Sequence, residues 1–433
     1  MYEPLVSPLS AVPELLPDTY WADSTTVPAE DDGQLDSAIT VDVAVIGAGY
    51  TGLSAAAHLA RECGVEVAVL EAKRPGWGCS GRSAGFAQKV LGRTPFQRVI
   101  RRFGAAAGAA MFAEIQRGVE RLDDDISRLG IACERQPSGH LWVAHRKRMT
   151  KHLLGEASFL RQQFGLHTQL LSAQELREHY FEGEEAYAAL RFEQGFGVNP
   201  LKLVLGYLSL ARSGGAYVYS GSAVFSWRKE GEYHLLRAGR GTVRARHVIC
   251  ATNNPSAQAL HPGLSCRSVP VLSSMMVTPV LSAAQLATIK FASSDLITDT
   301  RTLRHFVRKL PDNRLLIGGR SVSCGDHKAQ LQLALMRKFP LLQGVEGAYC
   351  WQSWGSASAE DLPQIRQVKD DPSVTYAVGY SGCGVAFALL GGVRLAQHLA
   401  GIKHWPVKHS VIKQSVIKHN VAQPPLQWAQ ARR

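Results

Sequence analysis

The segment AVIGAGYTGLSAA constrains the fold of this 433-residue chain more than any other part of it. Its glycines Gly47, Gly49 and Gly52 follow the continuous apolar run TVDVAVIG, which is typical of a buried parallel strand. Small and apolar residues continue at helical spacing to Cys63, and Gly64 can end that helix. The run VEVAVLEA then predicts a second buried strand, so the segment forms one βαβ unit.

Each glycine of this turn has its own role in binding a dinucleotide. Gly47 permits the tight turn, Gly49 lets the backbone approach a pyrophosphate, and Gly52 lets the helix pack closely on the sheet. The helix N-terminus offers free N–H groups to the phosphates. Glu71, at the end of the second strand, is placed to accept hydrogen bonds from a ribose hydroxyl. This carboxylate argues against NADP, whose 2′-phosphate it would repel, but both NAD and FAD stay open.

Two later glycine-rich segments favour FAD. The segment RPGWGCSGRSAGF predicts a flexible polar strip past the second strand, with N–H groups facing the phosphates and ribityl chain of an extended FAD. In GYSGCGVAF, the glycines Gly379, Gly382 and Gly384 predict a strand-turn-helix whose helix begins near Val385. The N-terminus of that helix would stabilise the negative charge of reduced flavin.

The order of predicted elements indicates an α/β fold with a Rossmann-type FAD-binding domain assembled from discontinuous segments. A substrate domain of the α+β type, with a mixed sheet and helices, is expected beside it. A helix after Asn199 is well marked, because Asn199 can cap it and Gly214 can end it. The predicted boundaries are 1–40 for an N-terminal arm lying over the surface, 41–91, 200–255 and 351–402 for the FAD-binding domain, 92–199 and 256–350 for the substrate domain, and 403–433 for a basic tail.

Composition narrows the function classes. The formal net charge is +12, and the last 33 residues hold six Lys or Arg and no acid, which we interpret as a solvated tail because no nucleic-acid-binding motif accompanies it. The eight cysteines form no C-x-x-C pair and show no zinc-ligand spacing, so we expect reduced thiols, no metal site and a cytoplasmic protein. The N-terminus lacks a signal-peptide pattern, and no apolar run predicts a transmembrane segment.

The motifs DVAVIGAGYTGLSAAAHLA…VAVLEA, GWGCSGRSAGF, HVICATNN and GYSGCGVAF stand in the order and rough spacing of a known family. They resemble the FAD-dependent amine and amino-acid oxidoreductases, the group of D-amino-acid oxidase, glycine oxidase and sarcosine oxidase. Within this group the chain looks most like the branch of gamma-glutamylputrescine oxidoreductase. The likeness extends from DTYWADS to about residue 402, and it is looser in RKLPDNRLLIGG and YCW…LPQI.

The resemblance implies a set of FAD-binding residues and non-covalent binding, because WQSWGSASAEDLP lacks the cysteine that covalent relatives use. The implied residues, with Val224 as a main-chain contact to adenine, are Gly47, Gly49, Tyr50, Thr51, Gly52, Glu71, Ala72, Arg82, Ser83, Ala84, Gly85, Val224, Ala251, Thr252, Gly379, Gly382, Gly384 and Val385. The chain departs from the family at Cys383, where histidine is frequent, and this position is expected beside the flavin. The departure leaves open both the substrate and the electron acceptor, which is oxygen, a quinone or another protein.

The expected reaction is oxidation of the C–N bond of an amine or amino acid, with hydride transfer to flavin N5 and hydrolysis of the imine. His305, Arg308 and Cys383 are the catalytic candidates, although structural roles are alternatives for His305 and Arg308. Arg308 and Arg320 are candidates for binding a substrate carboxylate, and Trp351 and Trp354 for walling the pocket. An NAD-linked dehydrogenase and a non-enzymatic dinucleotide-binding sensor remain the alternative functions.

Overall fold

The computed structural model of the protein describes residues 16–27, 32–92, 94–252, 260–261, 263–264, 268–321, 326–358 and 362–401. The predicted basic tail, 403–433, and the first 15 residues of the predicted arm lie outside the described residues. Among the described helices, none is both long and apolar enough to cross a bilayer.

Helices and strands mostly alternate in the first half of the described chain, and strands come in runs in the second half. The helices are α1 (Tyr20–Asp23), α2 (Tyr50–Cys63), α3 (Cys79–Arg82), α4 (Phe96–Phe103), α5 (Ala105–Leu129), α6 (Met149–Phe164), α7 (Ala173–His179), α8 (Pro200–Ser213), α9 (Ala283–Thr288), α10 (His327–Lys338) and α11 (Gly384–Ala400). The strands are β1 (Ala38–Ile46), β2 (Val67–Leu70), β3 (Phe86–Ala87), β4 (His140–Val143), β5 (Gln169–Ser172), β6 (Ala188–Phe192), β7 (Phe196–Gly197), β8 (Tyr217–Tyr219), β9 (Val224–Glu230), β10 (Tyr233–Ala238), β11 (Gly241–Cys250), β12 (Ser268–Val277), β13 (Leu296–Asp299), β14 (His305–Lys309), β15 (Leu315–Arg320), β16 (Tyr349–Ser358), β17 (Gln364–Val368) and β18 (Asp371–Val378).

The first sheet contains the predicted βαβ unit. Its main path is β17-β18-β11-β1-β2-β8, with β10 and β9 added as an antiparallel meander on β11. Strand β1 pairs in parallel with β2 on one side and with β11 on the other. Helix α2 ends as predicted, because Gly64 takes the left-handed φ of 64°. This is the Rossmann-type arrangement that the apolar runs predict, since buried parallel strands need helices to cover them.

The N-cap predicted at Asn199 is also present. Its side chain accepts hydrogen bonds from the backbone N–H groups of Leu201 and Lys202, and α8 begins at Pro200. Helix α8 packs against α2 and so helps to cover the first sheet. The local sequence signal and the tertiary packing therefore agree here.

The second sheet has the order β16-β12-β15-β14-β13-β4-β6-β5 and is mostly antiparallel. Its strand β16 crosses the boundary predicted at residue 351. All ten residues of β16, from Tyr349 to Ser358, pair with β12 in an antiparallel ladder. The chain therefore returns to the first sheet after β16, at β17. The other domain boundaries stay a prediction.

The prediction that the N-terminal arm lies over the surface is wrong for its described central part. Trp21 in α1 is fully buried, and its ring contacts that of Trp351 at a centroid distance of 6.2 Å. Tyr20 is also buried and packs edge-on against Tyr349 at 5.6 Å. Two large aromatic rings remove enough apolar surface from water to draw this short segment into the interior.

Candidate active site

A cavity of about 280 Å³ lies between the carboxyl edge of the first sheet and one face of the second sheet. The strands β1, β11 and β18 are mutually parallel, so the turns that follow Ile46, Cys250 and Val378 meet at this edge. Open α/β sheets bind ligands at this edge. The described lining residues are Gly49, Tyr50, Thr51, Cys79, Ser80, Ser83, Ala84, Gly85, Phe86, Gln88, Gly92, Ala251, Val271, Ser273, Met275, Thr298, Arg304, Phe306, Arg320, Ser353, Gly355, Ser356, Tyr380, Ser381, Gly382, Gly384, Val385 and Ala388.

The glycine turn after β1 has no room for a Cβ atom at its three glycines. A Cβ atom on Gly52 would lie 1.9 Å from the carbonyl oxygen of Gly47, and one on Gly47 would lie 3.0 Å from that of Ala251. Gly47 also has a φ of 104°, which L-residues rarely adopt. A Cβ on Gly49 would meet Ser80 Oγ at 2.8 Å. The turn thus leaves its backbone accessible beside the cavity, as a pyrophosphate site requires.

The carboxylate of Glu71 lies at the same turn. Its Oε2 accepts a hydrogen bond from the N–H of Ala48 at 2.8 Å, and its Oε1 accepts one from the N–H of Lys73 at 3.0 Å. Burial raises the pKa of Glu71, while these backbone hydrogen bonds oppose the rise. A half-buried acid held by backbone donors next to a nucleotide-type turn is consistent with the predicted ribose contact.

The predicted FAD-binding residues separate into two groups. Ten line the cavity: Gly49, Tyr50, Thr51, Ser83, Ala84, Gly85, Ala251, Gly382, Gly384 and Val385. Eight do not line it: Gly47, Gly52, Glu71, Ala72, Arg82, Val224, Thr252 and Gly379. The hydroxyls of Thr51 and Tyr380 form a hydrogen bond of 2.6 Å, which joins the first glycine segment to the last. Two glycine segments near the start of the chain and one near residue 382 therefore line the same cavity.

The middle glycine segment contains the short helix α3, where the sequence predicts a flexible strip. Three side chains hold carbonyl oxygens of this segment. Trp351 Nε1 donates to Arg82 at 2.9 Å, Trp21 Nε1 donates to Ser83 at 2.9 Å, and an Nη atom of Arg308 donates to Gly85 at 3.2 Å. We call residues 79–85 the cofactor loop and these three side chains its clamp. The clamp comes from α1, β14 and β16, so distant elements fix the shape of the loop.

The role in substrate binding predicted for Arg308 is wrong. The side chain is buried, and its other Nη donates to the carbonyl oxygen of Val198 at 2.8 Å. Its guanidinium lies 5.1 Å from the ring centroid of Trp21, and burial lowers its pKa to about 9. Arg308 does not line the cavity. Its donors are used on backbone carbonyls, which gives it the structural role that was the alternative.

His305 lies on the wrong face of its strand for the predicted catalytic role. Successive side chains of a strand point to opposite faces, and here Arg304 and Phe306 line the cavity whereas His305 does not. His305 Nδ1 lies 3.9 Å from Asp299 Oδ2, in an ion-pair group with Lys338 of α10. Burial lowers the pKa of His305 to about 4, and the positive charge of Lys338 adds to the effect. The imidazole therefore belongs to the packing of α10 on the sheet.

Cys383 is also turned away from the cavity. Its thiol donates a hydrogen bond to the carbonyl oxygen of Tyr380 at 2.9 Å, and burial raises its pKa to about 12. Gly382 and Gly384 on either side line the cavity, but Cys383 packs in the hydrophobic core. The position expected beside the flavin thus points into the protein.

The aromatic residues predicted to wall the pocket do not line it. Trp351 belongs to the clamp, and Trp354 lies elsewhere on β16, whereas Ser353 and Gly355 face the cavity. Arg320 does line the cavity, as predicted for a substrate-binding arginine. Sequence analysis missed Arg304, Thr298 and Ser273, which line it from the second sheet. Side chains two residues apart in an extended segment point to the same face, so Arg304 could have been grouped with Phe306 from the sequence. The local sequence does not show which of the two faces is turned toward the cavity.

The charges of the lining are one-sided. Among the described residues that line this cavity the charged side chains are Arg304 and Arg320, and none of these lining residues is Asp, Glu or His. Burial raises the pKa of both Tyr50 and Tyr380, so their hydroxyls stay neutral. The part of the lining that the structure describes therefore offers positive charge and hydroxyl groups, and no carboxylate or imidazole that would take a proton.

Comparison with known proteins defines the class. Residues 42–398 match the family described as FAD dependent oxidoreductase, abbreviated DAO. The chain belongs to this family of flavoenzymes.

The individual relatives agree with the family. Gamma-glutamylputrescine oxidoreductase of Escherichia coli strain K12 is 31% identical over 387 residues, which cover 88% of this chain and 89% of that protein. A probable oxidoreductase, OrdL, of Haemophilus influenzae is 29% identical and covers 83% of each chain. The fold is similar to the crystal structure of glycine oxidase from Geobacillus kaustophilus, with a TM-score of 0.71, 20% identity, and coverage of 86% of this chain and 97% of that one.

These findings decide among the interpretations that the sequence leaves open. FAD is the cofactor of the family, and the glycine turn that excludes side chains, together with the cavity beside it, fits that cofactor. The NAD-linked dehydrogenase is therefore wrong as an alternative, and so is the non-enzymatic sensor, since the relatives are enzymes. The broad class, an FAD-dependent oxidoreductase, is established.

Proposed function

We propose that the protein oxidises the C–N bond of a primary or secondary amine that carries a carboxylate or a polar acyl group. The product is an imine, which water hydrolyses to an aldehyde or a keto acid. When bound, FAD supplies the acceptor for the hydride that leaves the carbon next to nitrogen. The E. coli relative is named for gamma-glutamylputrescine, an amine with such an acyl group, and this likeness supports the proposed substrate class.

The observation that carries the proposal is the charge of the lining. Arg304 and Arg320 are the charged groups among the described lining residues, and hydroxyls of Ser273 and Thr298 accompany them. A guanidinium pairs well with a carboxylate or a carbonyl oxygen of an incoming substrate. A polycation such as a free diamine would be repelled by the same two arginines.

The arrangement also explains how an amine becomes reactive without a side-chain base. An amine must be neutral to lose hydride from the adjacent carbon, and an ammonium ion is disfavoured near two cations and apolar walls. Arg304 and Arg320 would thus lower the pKa of the bound amine, and its proton would leave to solvent. The clamp and the glycine turns hold the cofactor loop, so the substrate meets a fixed surface.

The test is the pH dependence of anaerobic bleaching of the bound FAD. With a series of carboxylated amines of different pKa, the rate should rise with pH, and the midpoint of the rise should move with the pKa of each amine. In Arg320→Met the midpoint should move to higher pH, because removing a positive charge stabilises the bound ammonium ion and so raises the pKa of the bound amine. The affinity for carboxylated amines should fall by about tenfold relative to uncharged amines in this variant.

Two outcomes would contradict the proposal. A midpoint that stays at one pH for every amine would mean that a group of the protein is the base. Bleaching by 2-hydroxy acids and by no amine would refute C–N oxidation and leave the flavoenzyme class intact. His305→Gln is the control, since His305 lies outside the cavity and should leave the midpoint unchanged.

Three further features complete the proposal. FAD is held non-covalently, in keeping with the family, and among the described cysteines Cys79 is the one that lines the cavity. Acid precipitation should leave the flavin in the supernatant.

Oxygen, a quinone or another protein reoxidises the cofactor, and anaerobic reduction followed by addition of each acceptor distinguishes them. We also propose a cytoplasmic location, supported by the six described cysteines, which are all free thiols.

A further inference from the structure

A second, smaller chamber adjoins the active-site cavity. It has a volume of about 30 Å³ and shares Gly92, Thr298 and Arg304 with the larger cavity. Strand β4, helix α6 and residues 89–92 and 94–96 enclose it. Its walls are mostly apolar and include Phe96. The space is sufficient for about two water molecules, or for a few atoms at the end of a bound molecule.

Polar groups without partners face an otherwise apolar environment here. Trp142 Nε1 and His140 Nδ1 are buried atoms with no hydrogen-bond partner in the part of the chain that the structure describes. Their residues are 9% and 1% exposed, and both line the chamber. The other ring nitrogen of His140 is hydrogen-bonded to Thr298 Oγ1 at 2.8 Å, so the ring is fixed. Buried donors without partners are rare in native proteins and call for a ligand or ordered water.

Glu156 adds an acceptor to the same chamber. Its residue is 4% exposed. Burial raises its pKa, and the positive charge of Arg304 opposes this rise. The chamber therefore presents one N–H donor, Trp142, and one acceptor, Glu156, close to the guanidinium of Arg304, which lies 5.1 Å from the Trp142 ring centroid.

The charges decide which class of group fits. A terminal ammonium would be repelled by Arg304 and by Lys89, although Lys89 is paired with Glu120 at 2.8 Å. A terminal carboxylate would be repelled by Glu156. A neutral group with a donor and an acceptor on neighbouring atoms meets neither penalty. An amide has this arrangement, because its carbonyl oxygen can accept from Trp142 while its N–H donates to Glu156.

We propose that this chamber binds a neutral amide group at the far end of the substrate chain, while the reacting amine stays in the active-site cavity. The proposal rests on the proposed function, since it names the second functional group of that amine. Trp142 and Glu156 are then specificity-determining residues. His140 is a positioning residue that acts through Thr298, which both cavities share.

Binding can be measured without turnover, by calorimetric titration of N-butylacetamide into the oxidised holoenzyme. The amide should bind about five to ten times more weakly to Trp142→Phe, which keeps a ring and loses the N–H donor. Trp227→Phe is the matched control, because Trp227 lies on β9 and lines neither cavity. N-butyl-N-methylacetamide lacks the N–H donor and should bind more weakly to the native enzyme. Glu156→Leu should abolish this difference, and Glu156→Gln should retain it, because the glutamine oxygen can still accept.

Turnover separates this proposal from the proposed function. N-acetyl-1,4-diaminobutane should bleach the FAD with higher efficiency than n-heptylamine, which has the same chain length and no amide, and Trp142→Phe should reduce this preference. If neither amine bleaches the FAD, the proposed amine oxidation is refuted, while the titration with N-butylacetamide still tests whether the chamber binds an amide. If N-butylacetamide does not bind, or binds native and Trp142→Phe enzyme equally, the chamber proposal is overturned. Thermal melting of each variant identifies those that fail to fold.

Discussion

Single atoms decide what the glycine turn tolerates. At Gly52 a Cβ would lie 1.9 Å from the carbonyl oxygen of Gly47, whereas at Gly78 no atom lies within 4 Å of the added carbon. Gly78 immediately precedes the cofactor loop and has an ordinary negative φ of −69°. The two glycines are thus a matched pair beside the same cavity, one closed to a methyl group and one open.

Gly52→Ala should therefore lower the FAD content of the purified protein strongly, because the turn must open to admit the methyl group. Gly78→Ala should keep nearly full occupancy. The ratio of the flavin absorbance to the protein absorbance measures the FAD content of both variants. Equal FAD content in the two variants would refute the assignment of this turn to the cofactor.

At the scale of elements, α1 has four residues and yet supplies Trp21 to the clamp. The clamp joins α1, β14 and β16 to the cofactor loop. A helix this short has little stability of its own, so tertiary packing keeps it in place. Because these elements are remote in sequence, the shape of the loop depends on docking of the second sheet against the first.

Removing one indole donor from the clamp should weaken cofactor binding. Trp351→Phe and Trp21→Phe should each raise the Kd of the apoprotein for FAD by about fivefold, the effect of one net hydrogen bond. Trp354→Phe is the control on the same strand, since Trp354 Nε1 is buried with no hydrogen-bond partner among the described residues. Quenching of flavin fluorescence on titration measures each Kd. If Trp354→Phe bound FAD more weakly and Trp351→Phe bound it with an unchanged Kd, the proposed role of the clamp would be contradicted.

At the scale of the whole molecule, buried neutral histidines link stability to pH. His234 is fully buried, its Nδ1 accepts a hydrogen bond from Trp227 Nε1 at 3.1 Å, and its Nε2 is hydrogen-bonded to Ser373 Oγ at 2.8 Å. Burial lowers the pKa of His234 to about 4 from its ordinary 6.5. Protonation of Nδ1 would remove the acceptor that Trp227 needs.

The sign of the pH effect follows from this lowered pKa. As pH falls below 6.5 the unfolded chain binds a proton at His234 before the folded protein does, so stability is lost between pH 6.5 and pH 4. The urea midpoint should therefore fall between pH 7.5 and pH 5, and His234→Gln should show a smaller fall than the native protein. An identical fall in the variant would assign the effect to other groups, such as His140, whose pKa burial lowers to about 3.

Much of the fold could be predicted from local sequence. The apolar runs of β1 and β2, the glycines between them, Gly64 at the end of α2 and Asn199 before α8 each impose their conformation on neighbouring residues. Backbone sterics and helix capping act over a few residues, so one sequence is sufficient to detect them. The order of the glycine segments likewise predicted that FAD is the cofactor.

Tertiary structure alone decided which side chains face the cavity. Arg304 lines it and His305 does not, although they are adjacent, because the face of β14 is set by its pairing with β13 and β15 in the second sheet. In the sequence Arg308 is a candidate for binding a substrate carboxylate and Trp21 is part of the predicted arm, and packing makes both side chains part of the clamp. Local backbone constraints in the sequence therefore determined the glycine turn that we assign to the cofactor, whereas the residues that face the cavity from the second sheet depend on register and docking between strands remote along the chain.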